Sequence, residues 1–337
     1  MLRHNTGLVS WVLTDGKAGD ELQALSVAEA LGLAPEIRRV RPGAPFTWAM
    51  PWGPIDPRER PAAPGSPLAP PFPDLLIASG RRAVAYLRFV KRATGGRTYT
   101  VFLKDPRTGP NTADFIWSPG YDRLRGPNVL NTLTPPHRVS AGRIEAARAR
   151  PDPRLAGLPH PRVAVLAGGD SRHHRFSPGD IARFVRHLTA LAETGAGLMA
   201  TASRRTPPAL RQALADLAAR HGGFFWDGAG ENPYVALLSL ADFIVATADS
   251  FNMIGEAAAT GRPILVFDPS GGHPKLDAFM NGLKAHGAVH GFDGRLVGQA
   301  YEPLNSTPRI ADAIVQGLAR HRRALGLPDI ALSLETS

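Results

Sequence analysis

The sequence predicts an α/β protein of two Rossmann-like domains facing each other across a cleft. Three observations carry that expectation. Short apolar runs rich in β-branched residues alternate with stretches of helix length in both halves of the chain. The runs end in polar loops bearing Gly, Ser or Asp, as the strands of a parallel sheet do before each helix. Between the two series, Pro135 to Pro161 is rich in Pro and Arg and holds no clear apolar strand, which reads as the interdomain connection.

The elements follow in order. Val9–Leu13 predicts the first strand, Thr14–Asp20 a polar loop, and Leu22, Leu25, Ala28 and Leu31 the apolar stripe of a helix that Gly32 ends. Eleven prolines between Pro42 and Pro73 exclude a helix or central strand there, and predict a surface insertion in preference to a lid. Asp74–Ser79, Thr98–Leu103, a short strand at Ile116 and an extended piece at Asn128–Leu130 continue the sheet, with a helix at Ala83–Arg92. The second series runs Val163–Leu166, helix Pro178–Glu193, Gly197–Ala202, helix Pro208–His221, Gly223–Trp226 and helix Pro233–Leu240. Phe243–Ala246, a helix over Met253–Thr260 stopped by Gly261, and Ile264–Phe267 form a β-loop-α-β unit, and Pro308–Leu325 is a last helix. The expected domains are therefore 1–150 with the insertion 42–73, 151–307, and a terminal helix and tail over 308–337.

Composition bounds the function. The chain has 337 residues, enough for two domains, and its 43% hydrophobic content suffices for ordinary cores. With no cysteine, disulfides, thiolate metal sites and a thiol nucleophile are all excluded. The net charge of +10 comes from 39 basic residues of which five are lysines, and the arginines are scattered. No basic block with interleaved aromatics appears, so a nucleic-acid partner is not expected, while anionic sugar nucleotides or acidic lipid heads would suit such a surface. The run Leu8 to Leu13 is too short for a signal peptide, and no segment approaches a membrane span. A cytoplasmic protein is expected, with room for peripheral contact at the inner membrane.

Four strand-tip loops could carry chemistry. In Asp15–Gln23 (DGKAGDELQ), Asp20 is either a base for an acceptor hydroxyl or a helix cap. In Gly168–Phe176 (GGDSRHHRF), the turn at Gly168 and Gly169 offers backbone N–H groups, with Ser171 and Arg172 beside them, to phosphate. Adjacent His173 and His174 lack metal-ligand spacing. Arg204 and Arg205 in Ser203–Pro207 (SRRTP) either suit bidentate phosphate recognition, one of the two facing inward, or form an ordinary salt-bridged pair. In the fourth loop, Asp249, Ser250 and Asn252 precede or open a helix whose amino terminus favours a diphosphate, and Glu256 is either a ribose-binding carboxylate or solvated. Asn232 and Tyr234, just ahead, hold a base or merely turn the chain. A G-x-G-x-x-G fingerprint, a Tyr-x-x-x-Lys pair and a D-x-D motif are all missing. The expectation is a nucleotide-diphosphate-sugar site needing neither metal nor further cofactor.

The blocks DGKAGDELQ, SGRRAVAYLR, FLKDPR, GGDSRHHRFS, TASRRTP and ENPYVALLSLADFIVATADSFNMIGEAAATGRPILVF, in this order from Asp15 to Phe267, resemble the mitochondrial-fission ELM-type family. That family is mostly bacterial, with a plant organelle-fission branch, and its bacterial members are often labelled nucleoside-diphosphate-sugar epimerases. In layout it is similar to GT-B glycosyltransferases, which implies a sugar nucleotide held by the carboxy-terminal domain and a last helix crossing back. The resemblance implies Glu256 on the donor ribose, Ser250 and Asn252 at the matching helix start, Arg205 near the donor phosphates and Asp20 near the place of a base. The chain departs from the family pattern at Asp20, where a histidine is common, and at Asn252 and Ile254, where serines are. The implied activity is sugar transfer to an unknown acceptor. The alternatives are an epimerase on the same donor and a non-catalytic adaptor keeping the fold.

Overall fold

The computed structural model describes residues 7–328, 330 and 332. The chain forms two compact units: one runs up to Arg138 and resumes at Ser306, the other is Val139–Asn305.

The first unit is built on six strands: β1 (Ser10–Thr14), β2 (Glu36–Arg39), β3 (Leu75–Ser79), β4 (Tyr99–Leu103), β5 (Phe115–Pro119) and β6 (Val129–Thr132). They lie in the order β2-β1-β3-β4-β5-β6, every neighbour parallel. β1, β3 and β4 are buried from end to end, because helices cover both faces of a parallel sheet. Alternate side chains feed opposite cores. Trp11, Leu13, Leu76 and Phe102 pack with Val84 and Leu87 of the helix Ala83–Ala93 on one face. Val12, Ile77 and Val101 pack with Val27 of the helix Ala18–Ala30 and with Ile310, Ile314 and Leu318 of the last helix, Thr307–Ala324, on the other.

Two expectations change here. The proline-rich segment is no mere surface insertion: Met50, Ile55 and Leu68 are buried in the first core, and the segment holds a short helix at Phe46–Ala49. Proline forbids long regular structure, yet turns closed by local bonds such as Ser66 N–H to Ala63 O still carry side chains inward. β2 has no counterpart in the sequence reading, because EIRR lies at the sheet edge and is largely exposed, so it lacks an apolar run.

The second unit contains β7 (Arg162–Ala167), β8 (His174–Arg175), β9 (Gly197–Ala202), β10 (Phe224–Trp226), β11 (Phe243–Thr247), β12 (Ile264–Phe267), β13 (Ser270–Gly271) and β14 (Val289–Gly291). Six of them form a parallel sheet in the order β10-β9-β7-β11-β12-β14, and β8 pairs with β13 as a short antiparallel ribbon. From β7 the chain winds outward through β9 and β10, then returns to the other side of β7 as β11. The β7–β11 boundary is therefore a topological switch point, with a crevice beyond the strand ends. In the first unit the same reversal falls between β1 and β3.

The stretch read as a plain connection belongs to the second unit from Val139 onward and contains the helices Ala141–Ala149 and Pro153–Ala156. Ser140 caps the first through its hydroxyl, and Ile144 is its buried contact. One apolar anchor among arginines gives too weak a stripe to read from sequence. The helix Pro274–Ala285 and β14 likewise go beyond the sequence reading.

Candidate functional site

Three adjacent strands of the second unit, β9, β7 and β11, end side by side, and their following loops meet. The hub is Asp249, two residues past β11, whose side chain is wholly buried. Its Oδ1 accepts the Thr247 hydroxyl at 2.7 Å and its Oδ2 accepts the Gly169 N–H at 2.9 Å. Arg205, from the loop after β9, donates Nη2 to Oδ2 at 3.1 Å. A second Arg205 nitrogen, Nη1, donates to the Asp170 carbonyl at 2.9 Å. Gly168 N–H donates to Thr247 Oγ1 at 2.8 Å, and the Thr206 hydroxyl donates to the carbonyl of Gly168.

The glycines are dictated by space. A Cβ on Gly168 would fall 2.1 Å from Asp249 Oδ1, and one on Gly169 would fall 2.1 Å from the Arg205 carbonyl carbon. This changes the role expected of them: their N–H groups are engaged by Thr247 and Asp249 instead of being offered to a phosphate. Ser171 is also spent locally, its hydroxyl accepting the N–H groups of His173 and His174. Of the two arginines, Arg205 is the one tied into the network, with its side chain 46% exposed, and Arg204 is an exposed neighbour.

Beside Asp249, Ser250 caps the helix Phe251–Ala258 by accepting the Met253 N–H at 3.3 Å. The helix begins two residues before the expected Met253 because the serine can cap only from outside it. Asn252 lies in its first turn. Further along, Glu256 accepts the Tyr234 hydroxyl at 2.6 Å. Burial pushes the Glu256 carboxyl up to about 7, the Tyr234 bond opposing that rise. Burial, then the Glu256 charge, drives the Tyr234 hydroxyl well above its ordinary range. Asn232 turns the chain into the helix Tyr234–Leu240, its Oδ1 accepting the Tyr234 N–H at 3.0 Å.

The arrangement brings together Gly168, Gly169, Arg205, Asp249 and Ser250 at one crevice, and pairs Glu256 with Tyr234. Thr206 and Thr247, which complete the hub, stood in the loops singled out from sequence, but which hydroxyls turn inward depends on contacts between loops distant in the chain. Asp20 belongs to the first unit, where it pairs with the Lys104 ammonium; the cap position of its helix is Lys17. Among the described residues no group of three or more His, Asp or Glu is placed to hold a metal, and no helix is long and apolar enough to cross a membrane.

Fold and site together define a GT-B-like α/β protein: two parallel-sheet units, one with a polar crevice at its switch point. The sequence profile described as Mitochondrial fission ELM1 matches residues 18–318, and the chain belongs to that family. The Mitochondrial fission protein ELM1 of Arabidopsis thaliana is 24% identical over 274 residues, 73% of this chain and 64% of its own length. The match thus spans less than two thirds of the Arabidopsis protein. The Uncharacterized protein RP120 of Rickettsia prowazekii is 24% identical over 285 residues, 72% of this chain and 79% of that one. Among solved structures, the S. aureus MnaA–UDP co-structure is similar with a TM-score of 0.56 at 11% identity, over 95% of this chain and 98% of that one. The Neisseria meningitidis UDP-GlcNAc 2-epimerase bound to UDP-GlcNAc follows at 0.50 and 12% identity, over 95% of both chains. At such identities the likeness concerns the fold.

Proposed function

We propose that the protein binds a nucleotide-diphosphate sugar in the crevice of its second unit and transfers the sugar to an acceptor hydroxyl. The observation that carries this reading is the Asp249–Arg205 hub beside the Ser250 helix start, at the switch point of a parallel sheet. The helix dipole and the exposed part of the Arg205 fork favour a diphosphate there. Asn252 lies in the same first turn. The ionised Glu256 carboxylate accepts hydrogen bonds from the ribose diol, and the turn at Asn232 and Tyr234 holds the base.

In the transfer, the acceptor oxygen bonds to the anomeric carbon as the bond from that carbon to the diphosphate breaks. The departing diphosphate takes the electron pair, and Arg205 with the helix start stabilises its charge without a metal. The acceptor's proton passes to a general base as the new bond forms. The net charge of +10 suits contact with an anionic membrane surface by a cytoplasmic protein.

Calorimetry with nucleoside diphosphates and their sugars tests the reading. Saturable heat is expected, and Glu256→Ala weakens binding by roughly 1.5–3 kcal/mol, the range for hydrogen bonds to a charged group. Chelator leaves turnover unchanged. Silence with every nucleotide overturns the reading and favours a non-catalytic adaptor that keeps the fold. The epimerase reading rests on the similar fold of the meningococcal enzyme. Analysis of the product sugar separates it from transfer.

A further inference from the structure

We propose that the first unit binds a phosphomonoester in an arginine-lined cavity between the edge strand β2 and the proline-rich segment. The cavity measures about 450 Å³, the size of a small-molecule site, and its wall holds four arginines against one glutamate. Arg38, Arg39 and Arg41 come from β2 and the chain just past it, and Arg58 comes from the single turn Pro57–Glu59. β2 is the terminal strand of its sheet and pairs only with β1, so the cavity lies at the outer edge of the unit.

Carboxylates hold two of these guanidinium groups in place without using them up. Glu21 accepts Nε and Nη2 of Arg39 at 2.9 and 2.7 Å, and Asp56 accepts Nε and Nη2 of Arg58 at 3.1 and 2.7 Å. Each fork is thereby fixed along one side, and its Nη1 keeps both hydrogens for a ligand. Arg41 is exposed, and its guanidinium has no hydrogen bond or ion pair among the described residues. Arg38 is spent on the wall itself: it pairs with Glu36 at 2.6 Å and lies over the Trp11 ring at 4.3 Å. Glu59, the one acid of the wall, accepts the Arg41 N–H at 2.7 Å and the Tyr86 hydroxyl, so both its oxygens are engaged.

The chemistry selects the ligand class. Guanidinium N–H groups only donate, so the ligand must accept hydrogen bonds, and their charge selects an anion. Donors from Arg39, Arg41 and Arg58 come from two separate segments. That suits the three terminal oxygens of a phosphomonoester better than the two of a carboxylate or phosphodiester. Ile37, 38% exposed, and Pro67 add apolar surface for the carbon skeleton of the ester. A soluble sugar or glycerol phosphate and the headgroup of phosphatidic acid present this same group. The site stands on the first unit alone and does not depend on nucleotide binding by the second.

Two assays on the full chain test this and separate the sources. One is calorimetry with glycerol 3-phosphate and ribose 5-phosphate. The other is sedimentation with phosphatidylcholine vesicles carrying phosphatidic acid or, as the diester control, phosphatidylglycerol. Saturable heat from a soluble ester, or a preference for phosphatidic acid over phosphatidylglycerol, is expected. Arg41→Ala weakens that binding roughly tenfold or more, the loss expected for hydrogen bonds to a charged group, with the melting temperature unchanged. Arg323→Ala removes an exposed charge of the same unit from outside the cavity and leaves binding intact. Excess UDP-N-acetylglucosamine, whose phosphates are both diesters, leaves the ligand in place. Silence of both soluble esters together with no preference for phosphatidic acid overturns the proposal. So does displacement by the nucleotide sugar, or an equal loss in the two variants. Nucleotide-sugar binding in Arg41→Ala reports on the second unit, so the two readings fail separately.

Discussion

Glu256→Gln makes the sharpest test of the crevice, because stability and affinity move in opposite directions. Burial raises the Glu256 carboxyl from 4.5 to about 7 in the folded protein. The folded state therefore binds this proton more tightly than the unfolded chain does. The contribution to stability is complete below about 4.5 and is lost as pH rises through about 7. A difference of that size corresponds to roughly 3 kcal/mol, and partial exposure trims it to roughly 2–3. Glutamine resembles the protonated acid, keeps an oxygen for the Tyr234 hydroxyl, and never has to bury a charge. The variant should be more stable than the parent by about 1 kcal/mol or less near pH 5 and by roughly 2–3 kcal/mol near pH 8. For a domain of this size that is a rise of roughly 4–12 °C near pH 8. Nucleotide affinity should fall at the same pH, because the diol loses its charged acceptor. Melting curves of both proteins across that pH range, with and without UDP, provide the measurement. A gap between the two curves that stays constant with pH would refute the argument, since it would leave no role for the titration of Glu256.

Asp249→Ala should destabilise the second unit by roughly 3–5 kcal/mol, since it strands Arg205, Thr247 and the Gly169 N–H around a vacated buried charge. The urea midpoint reads this, and a change below about 1 kcal/mol would deny the hub its structural role. Arg107 sits at φ +63°, so Arg107→Gly should raise stability by roughly 0.5–1 kcal/mol. A lower midpoint in that variant would show that its side chain contributes more than its backbone loses.

The repeating α/β pattern was legible because a parallel sheet covered on both faces needs continuous apolar strands, and LLIAS, RVAVLA and ILVF read as such. Helices with a strong punctuation mark were also plain. Pro178 opens one behind the Ser177–Asp180 capping box, and Gly222, in the left-handed conformation, closes another. What stayed hidden was set by partners distant in the chain. β2 owes its place to pairing with β1, and the helix Ala141–Ala149 to a single buried isoleucine. The crevice loops could be found from their composition, but the destination of each N–H could not. The phosphate-cradle expectation for Gly168 and Gly169 failed because a carboxylate eighty residues away in Gly169's case takes the donor. Likewise Asp20 attracted attention in the loop after β1, while the arginine-lined cavity beside β2 joins residues that no spacing rule brings together.

The placement of Thr307–Ala324 also constrains how this chain is made. Its Ile310, Ala311, Ile314 and Leu318 complete the core around Val12 and Val27, and its Gly317 gives Tyr99 the space its hydroxyl occupies. On the ribosome, the first unit emerges ahead of the second yet cannot close its apolar face until the chain through Leu318 has left the tunnel. The second unit, contiguous in sequence, has everything it needs earlier. Nascent chains halted before Thr307 would thus present a finished later half attached to an unfinished earlier one, with exposed apolar surface for chaperones to hold.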